Sequence, residues 1–269
     1  MRQMILDNIP PLDYACSEAF NTLATNVTFS GSNYKVIMLT SCVFNEGKSY
    51  TSLNLVRTLG GMGYSTLLID ADLRKSVMLS KYGARITGQR LGLTHYLAGR
   101  VTLEDAIYQT NLNNVCIMPT GKTVTNSLPL LNSPNLLDLM QTVRNSFDYV
   151  IVDSPPIGML IDAAMIASAC DATILVVTSE HISRRQLNEA KQQIERSGCT
   201  ILGSVLNKVV VDTHKYRKYY YKSYYSRYND TPYNMHSEDA PGEKKPKERK
   251  KRRSSAEDAT GGGAGEAGA

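Results

Sequence analysis

Short apolar segments alternate with amphipathic segments along the first 211 residues. Six apolar runs have the length of buried strands, and they are Lys35–Thr40, Thr66–Ile69, Val115–Met118, Tyr149–Val152, Ala172–Val177 and Ile201–Leu206. Four segments between them are helix candidates, and they are Lys48–Leu59, Pro134–Ser146, Asp162–Ser168 and Ser183–Ser197. This alternation predicts an α/β fold with a doubly wound, mostly parallel sheet that carries helices on both faces.

The alternating pattern ends at about residue 211. Residues 212–236 are rich in tyrosine and basic residues and follow neither the strand nor the helix period. Residues 237–269 are polar, then basic, then rich in glycine and alanine, and such a composition buries too little apolar surface to become ordered. We therefore predict an N-terminal extension (1–14), a folded domain (15–211), a tyrosine-rich tail (212–236) and a disordered C-terminal tail (237–269).

Composition limits the classes of protein and the cellular compartments that fit this chain. Of 269 residues, 42% are hydrophobic, enough for a core. No apolar run approaches the roughly 18 residues that a membrane span needs, and Met1–Asp13 shows no signal-peptide pattern. The five cysteines are scattered and form no Cys-x-x-Cys pair, which is typical of reduced thiols. We therefore expect a cytoplasmic protein that has no membrane anchor of its own.

The net charge of +5 comes from one segment near the C-terminus. Lys244–Arg253 contains eight basic residues and one glutamate, which together supply +7, so the rest of the chain sums to −2. Because the predicted domain is not basic, its charge does not indicate nucleic acid as a partner. The basic run itself is typical of a solvated tail, although it could also lie against anionic lipid.

A phosphate-binding loop is predicted between the first long strand and the helix that follows it. Asn45, Glu46, Gly47, Lys48 and Ser49 form the end of a G-x-x-x-x-G-K-[ST] motif in which Cys42 replaces the first glycine. In this setting backbone N–H groups and the helix N-terminus, as far as Tyr50, cradle phosphates. The lysine neutralises the β- and γ-phosphate oxygens, and the serine hydroxyl binds Mg²⁺. The sequence therefore predicts nucleotide binding.

Carboxylates follow two other predicted strands. The motif LLIDADLR (67–74) contains Asp70, Asp72 and Arg74, and the motif DSPP (153–156) begins with Asp153. Because the carboxyl ends of parallel strands meet at one edge of a sheet, these groups are placed for Mg²⁺ and proton chemistry beside the loop. A single aspartate in such a place is often only a helix cap, but three beside a phosphate loop favour a catalytic site.

These motifs resemble those of the bacterial tyrosine kinases (BY-kinases). In that family the loop, IDADLR (69–74) and IVDSPP (151–156) correspond to the Walker A, A′ and B motifs, and a tyrosine cluster follows them. Further matches are GLTHYLAG (92–99), Asp148-Tyr149-Val150 and Asp162-Ala163. The resemblance covers about Ser17 to Tyr233. It implies a P-loop NTPase fold and an ATP- and Mg²⁺-dependent protein-tyrosine kinase.

The resemblance also implies roles for individual residues. Asp70 corresponds to the base that activates the acceptor hydroxyl, while Ser49, Asp72 and Asp153 correspond to the Mg²⁺ side of the site. Lys48 binds phosphate, and Arg74 would orient Asp70 or stabilise the transferred phosphoryl group. Asn207 lies where relatives hold the adenine, although a buried turn asparagine would look the same in sequence.

The family resemblance further implies a biological setting. A stand-alone kinase of this type is activated by a separate transmembrane protein of the polysaccharide co-polymerase type, which recruits it to the inner face of the membrane. It governs the synthesis and export of capsular polysaccharide or exopolysaccharide. The acceptors would be the clustered tail tyrosines, which are Tyr216, Tyr219, Tyr220, Tyr221, Tyr224, Tyr225, Tyr228 and Tyr233.

The chain departs from the family pattern in two places. Phe44-Asn45 replaces the usual Pro-Gly of the loop, and asparagine is the next-best residue for a positive φ. Near the N-terminus, the family's E-x-x-R-x-x-R motif, which joins subunits in a ring, reads Glu18, Asn21 and Ala24. Bidentate arginine–carboxylate pairs cannot form there, so we expect a monomer or small oligomer in solution.

Two other functions fit part of the sequence. A partitioning or septum-placing ATPase of the ParA/MinD type would share the fold but would carry a signature lysine at position 42 and no tyrosine tail. A catalytically weak module could bind ATP and a membrane partner without transferring phosphate. The tail itself could also pack on a partner or stack on single-stranded nucleic acid, but an adjacent ATP site favours the acceptor role.

Overall fold

A computed structural model describes residues 2–179 and 181–209. The predictions for the tyrosine-rich tail and the C-terminal tail lie outside these residues. The strands are β1 (Arg2–Leu6), β2 (Val36–Ser41), β3 (Thr66–Asp70), β4 (Ala84–Ile86), β5 (Tyr108–Thr110), β6 (Val115–Met118), β7 (Tyr149–Asp153), β8 (Ala172–Thr178) and β9 (Thr200–Asn207). The helices are α1 (Tyr14–Phe29), α2 (Lys48–Gly61), α3 (Met78–Lys81), α4 (Leu93–Leu97), α5 (Leu103–Ala106), α6 (Leu128–Leu131), α7 (Pro134–Ser146), α8 (Ile161–Ala167) and α9 (Arg184–Arg196).

The nine strands form one sheet in the order β4-β1-β5-β6-β3-β7-β2-β8-β9. Every pair from β6 to β9 is parallel, whereas β5 runs antiparallel to β6 and β4 antiparallel to β1. The predicted α/β fold with a mostly parallel sheet is therefore confirmed, as are all six predicted strands and four helices, with ends shifted by at most two residues.

Two apolar layers cover the sheet, one on each face. Along β2, Val36 and Met38 belong to the layer packed with α7, α8 and α9, whereas Ile37 and Leu39 belong to the layer packed with α1 and α2. Because successive side chains of a strand point to opposite faces, a central strand buried on both sides is apolar throughout. Within the described residues, no helix is both long and apolar enough to cross a bilayer.

The N-terminal residues differ from the sequence prediction. The sequence pattern predicts an extension outside the domain over residues 1–14, but Arg2–Leu6 is the strand β1 of the sheet. Met4 and Leu6 are buried, while Ile5 between them is exposed. Such a short alternation carries little signal, and its partners β4 and β5 lie about 80 to 100 residues further along the chain.

Candidate active site

The predicted phosphate loop is a sharp turn between β2 and α2. Asn45 and Gly47 both have a left-handed backbone, with φ of 63° and 92°. Asparagine tolerates this conformation better than other residues that carry a side chain, so the turn forms without the family's glycine at position 45. Gly47 is the N-cap of α2, and the first-turn N–H groups of this helix form an N-terminus suited to phosphate.

Two polar side chains fix the loop in place, and both were predicted as cofactor ligands. The Glu46 carboxylate is buried and accepts hydrogen bonds from the N–H of Val43 (2.9 Å) and of Thr178 (2.8 Å), which ties the loop to β8. The Asn207 amide donates to the Glu46 carbonyl at 2.8 Å. Both side chains therefore hold the loop itself, and a direct contact with nucleotide stays a prediction for each.

Cys42 stands where the family pattern has its first glycine. It is buried, and burial, with a smaller contribution from the charge of Glu46, raises the pKa of its thiol to about 11. The thiol is therefore neutral. A Cβ added at Gly158 would lie 2.3 Å from the Cys42 carbonyl oxygen, so the segment after β7 packs directly on the first residue of the loop.

Lys48 is a buried ammonium in the first turn of α2. Its side chain donates to the Ser41 hydroxyl at 3.0 Å, and among the described residues it has no carboxylate within ion-pair distance. Burial lowers its pKa, and the charges of Asp153 and Asp72 partly oppose this effect. A buried cation needs an anionic partner, which a bound phosphate would supply.

Asp70 and Asp153 face each other across adjacent parallel strands. They are paired in the register of β3 with β7, and both are almost fully buried. Burial raises the pKa of Asp70 to about 7, and the charge of Asp153 adds to the rise. Burial also raises the pKa of Asp153 to about 6, opposed by a hydrogen bond from Ser49 and the charge of Lys48. Two buried carboxyl groups beside a phosphate loop are suited to proton and cation chemistry.

Asp72 and Ser52 complete the electrostatic environment of this carboxylate pair. Asp72 is half-buried and accepts the N–H of Lys75 at 2.9 Å, and its negative charge contributes to the raised pKa of both Asp70 and Asp153. The Ser52 hydroxyl donates to Asp153 at 3.3 Å. Across residues 2–179 and 181–209, no cluster of three acidic, histidine or cysteine side chains is close enough to hold a metal by itself.

The oxygen donors nevertheless fit Mg²⁺. This ion keeps several waters and is usually held by one or two carboxylates together with substrate phosphates. Ser49 and Asp153 are hydrogen-bonded to each other, and Asp72 lies near enough to influence Asp153 electrostatically. Ser49 and the two carboxylates are therefore the groups that would hold the ion.

Arg74 does not contact Asp70 in this structure. Its guanidinium donates to both carboxylate oxygens of Asp162, at 2.9 and 3.0 Å, and to the Thr125 carbonyl at 3.0 Å. The predicted orientation of Asp70 by Arg74 is therefore not a direct contact. Sequence reasoning could not identify the partner of Arg74, because Asp162 lies 88 residues further along the chain.

The Tyr50 side chain packs on Phe20 and Lys81, and a contact of Tyr50 with nucleotide stays a prediction. Its ring packs edge-on against Phe20 of α1, with centroids 5.9 Å apart, and lies 5.8 Å from the Lys81 ammonium. Only its backbone N–H, in the first turn of α2, belongs to the predicted phosphate cradle.

Hydroxyl groups that the sequence did not single out contact the predicted residues. Ser76 donates a short hydrogen bond to the Asp70 carboxylate. The Thr120 hydroxyl donates to the Asp70 carbonyl at 2.8 Å, and Ser41 accepts from Lys48. Serine and threonine are common at strand ends, so no pattern in one sequence distinguishes these from ordinary turn residues.

Comparison with known proteins identifies the family. Residues 34–201 match the AAA domain family. The chain is 44% identical to the tyrosine-protein kinase CpsD of Streptococcus agalactiae over 202 residues, which cover 75% of this chain and 87% of the relative. The chain belongs to the bacterial tyrosine kinases. It is accordingly a nucleotide-binding, P-loop protein-tyrosine kinase, as the sequence motifs predicted.

Solved structures similar to the kinase agree with its fold. A crystal structure of the chimeric protein CapA2B2 matches with a TM-score of 0.68 and 27% identity, over 76% of this chain and 94% of that one. The septum site-determining protein MinD of Pyrococcus horikoshii, solved with Mg-ADP, matches with a TM-score of 0.54 and 24% identity, over 66% and 71%. At this identity MinD shares the fold alone, and the septum-placing ATPase alternative is not supported.

Replacing Gly47 with alanine should abolish the phosphate cradle of the kinase. A Cβ at this position would lie 2.0 Å from the Asn207 amide nitrogen, and the left-handed backbone is strained for alanine. We expect nucleotide affinity to fall at least about tenfold, measured by titration calorimetry, since a shift of the loop loses more than about 1.4 kcal/mol of binding.

Gly63→Ala is the matched control for this substitution. Gly63 has a similar φ of 98°, but a Cβ there meets no atom within 4 Å. Both variants should therefore lose comparable backbone stability, whereas only Gly47→Ala should lose nucleotide affinity. Equal affinities in the two variants would show that close contact between the loop and Asn207 is unimportant.

Proposed function

We propose that this kinase transfers the γ-phosphoryl group of ATP to tyrosines of its own C-terminal segment. The observation that carries the proposal is a buried Lys48 ammonium without an ion pair among the described residues, next to the Asp70–Asp153 pair. A bound phosphate would supply the anionic partner of Lys48, and Asp70 is a candidate base for the acceptor hydroxyl. Eight tyrosines then follow within residues 216–233 of the same chain.

Asp70 is the proposed general base. A tyrosine hydroxyl has a pKa of about 10, so it needs a positioned acceptor for its proton at neutral pH. Burial, together with the nearby charge of Asp153, raises the pKa of Asp70 to about 7, close to the pH of the reaction. The phenol proton passes to the Asp70 carboxylate, the phenol oxygen bonds to the γ-phosphorus, and the bond from that phosphorus to the bridging oxygen breaks to release ADP.

Lys48 and the cation ligands act on the phosphates. The Lys48 ammonium and the N–H groups at the start of α2 would neutralise and orient the β- and γ-phosphoryl oxygens. Ser49, Asp72 and Asp153 would hold Mg²⁺, which when bound neutralises charge on the phosphoryl groups. Asp70 would thus accept the proton, while Lys48 and the three cation ligands would stabilise the phosphates.

The family resemblance supports a role in capsular polysaccharide or exopolysaccharide synthesis and export. On the same basis, we propose a transmembrane activator of the co-polymerase type, which would recruit the kinase to the inner face of the membrane. Phosphorylation adds close to two negative charges per tyrosine and would reverse the charge of a basic tail, which could control docking to that partner.

Acceptor tyrosines from another subunit would have to reach the site without the family's arginine contacts. On α1, Asn21 is exposed and donates to Glu18 at 3.1 Å, while Ala24 is fully buried in the apolar layer beneath the helix. We therefore predict a monomer or small oligomer in light scattering of the isolated protein. A stable ring in solution would show that contacts other than the two arginines suffice for assembly.

Replacing all eight tail tyrosines with phenylalanine tests the assignment of the acceptors. Incorporation of phosphate from Mg·ATP should fall to background, because no phenol remains in the tail, while nucleotide binding stays within about twofold of the unmodified protein. Both are measured on the full chain, with and without the cytoplasmic part of the activator. Retained phosphotyrosine would place the acceptors elsewhere, and lost nucleotide binding would make the cluster structural.

A further inference from the structure

Asp162 is the centre of a buried polar network beside the catalytic carboxylates. It is the second residue of α8 and is 1% exposed. Its two carboxylate oxygens accept hydrogen bonds from Nε and Nη2 of the Arg74 guanidinium. The Ser127 hydroxyl, also buried, donates a further short hydrogen bond to the same carboxylate. Burial alone would raise the pKa of Asp162, but the bonds from Arg74 and Ser127 outweigh it and lower the pKa, so the group is charged.

This network joins three segments that are distant in the chain. Arg74 lies four residues after Asp70, which is the last residue of β3, and the short segment between them contains Asp72. Ser127 directly precedes α6, and Asp162 lies on α8. Arg74 also donates to the Thr125 carbonyl, so it holds the segment before α6 by backbone as well as through Ser127. The carboxylate is therefore the common acceptor for the other two segments.

The backbone of the segment Asp70–Arg74 is also hydrogen-bonded to the segment before α6. The N–H of Val124 donates to the Leu73 carbonyl at 2.9 Å, and the Thr120 hydroxyl donates to the carbonyls of Asp70 and Asp72, at 2.8 and 3.4 Å. Thr120 is in turn held by Thr94 of α4, whose N–H and hydroxyl both donate to its carbonyl. Displacement of the segment that contains Arg74 would thus move the two aspartates directly.

We propose that Asp162 is a positioning residue for phosphoryl transfer, which holds the Asp70–Asp72 segment in its catalytic geometry through Arg74 and Ser127. The proposal rests on the proposed roles of Asp70 and Asp72. Bidentate arginine–carboxylate bonds fix direction as well as distance, and removing one partner of a buried pair leaves the other charge without compensation. Arg74 then acts through Asp162 rather than on the phosphoryl group.

The chain offers a second arginine–aspartate pair as a matched control. Asp171 pairs with Arg144, is 8% exposed, and accepts the N–H groups of Lys35 and Val36. These contacts lie at the start of β2, at the opposite end of this strand from the phosphate loop. Asp171→Asn therefore removes a comparable ion pair from a part of the fold that the site does not use.

The test compares Asp162→Asn with Asp171→Asn in the full chain. Tyrosine phosphorylation of a synthetic peptide is measured with Mg·ATP, at a temperature below the unfolding transitions of both variants. We expect kcat of Asp162→Asn to fall at least about tenfold with KM for ATP within about threefold, because small displacements of reacting groups lower rates strongly. Asp171→Asn should keep kcat within about twofold even where its melting temperature is lower.

Two further variants keep the test decisive if Asp162→Asn folds poorly. Ser127→Ala removes one hydroxyl and leaves both Arg74 bonds to Asp162, so kcat should fall about threefold to tenfold, as expected for one hydrogen bond of ordinary net strength. In the double variant Arg74→Lys/Asp162→Asn, kcat should be close to that of the less active single variant, because both substitutions break the same network. Unchanged kcat in Ser127→Ala and Asp162→Asn, or losses that multiply in the double variant, would overturn the proposal.

The outcome is separable from failure of the proposed function. If Asp70→Asn is inactive while Asp162→Asn retains full activity, the base assignment stands and the positioning role is wrong. If Asp70→Asn retains full activity, the assigned chemistry is wrong whatever the Asp162 variants do. A parallel fall of kcat and nucleotide affinity in Asp162→Asn would indicate a general disruption of the site, and this also contradicts the proposal.

Discussion

Lys48→Met should abolish nucleotide binding and tyrosine phosphorylation while leaving the fold intact. The Lys48 ammonium is buried in the first turn of α2, where we expect the phosphates to bind, and its loss would remove a charge-assisted contact to them. We expect nucleotide affinity to fall at least about a hundredfold, or roughly 2.7 kcal/mol, by titration calorimetry.

The same substitution should not lower the melting temperature of the nucleotide-free protein. Lys48 is buried, and burial lowers its pKa, so the charged form is held in the apo protein at a cost in desolvation. Methionine has a similar length and needs no partner. Lys191→Met, at an exposed i,i+4 pair with Glu195, is the control that should change neither affinity nor stability. A strongly destabilised Lys48→Met protein would mean that the lysine serves the fold rather than the ligand.

Asp70→Asn should retain nucleotide binding but lose phosphorylation by about a hundredfold to ten-thousandfold. That range is the usual contribution of a positioned general base, and asparagine keeps the shape of aspartate without its basic oxygen. The measurement is the initial rate of tyrosine phosphorylation at saturating Mg·ATP, together with the affinity for nucleotide. Asp138→Asn, on the surface of α7 where it accepts a bond from Tyr96, should retain the wild-type rate.

The melting temperature of Asp70→Asn provides an independent check of the environment of Asp70, because the raised pKa fixes the direction in which it should change. Because burial raises the pKa of Asp70 to about 7, the folded protein binds more protons than the unfolded chain between about pH 4 and 7. This carboxyl group therefore lowers stability as the pH rises through that window. Without nucleotide or Mg²⁺ at pH 8, Asp70→Asn should melt at or above the wild-type temperature. A large loss of stability there would show that the carboxylate is favourably paired in the fold.

The fold could be predicted from sequence where the signal is local. In central strands such as β2, the residues Val36–Leu39 are apolar on both faces, and the phosphate loop stands directly between a strand and a helix. A short window of sequence therefore contains the whole pattern. The strand Arg2–Leu6 escaped prediction because its pairing to β4 and β5 depends on distant residues. Helices of four or five residues, such as α3, likewise lack a full period of the hydrophobic pattern.

The same holds for the site: residues in local motifs could be predicted, whereas contacts between distant parts of the chain could not. Residue types at the ends of strands identified Asp70 and Asp153, since the topology brings those ends together whatever the side chains do. The partners of Arg74 and Glu46 were not predictable, because each depends on a contact 88 or 132 residues away. Motif matching therefore predicts the candidate catalytic groups, but it does not show which side chains support the loop from behind.

Mapping phosphotyrosine on the full chain by mass spectrometry tests the central claim most directly. The wild-type protein and Lys48→Met are incubated separately with Mg·ATP, in the presence and absence of the activator's cytoplasmic part. Transfer to the protein's own tail predicts phosphotyrosine within residues 216–233 of the wild-type protein and none in Lys48→Met. Steady ATP hydrolysis with no phosphotyrosine in that segment, both with and without the activator's cytoplasmic part, would contradict it.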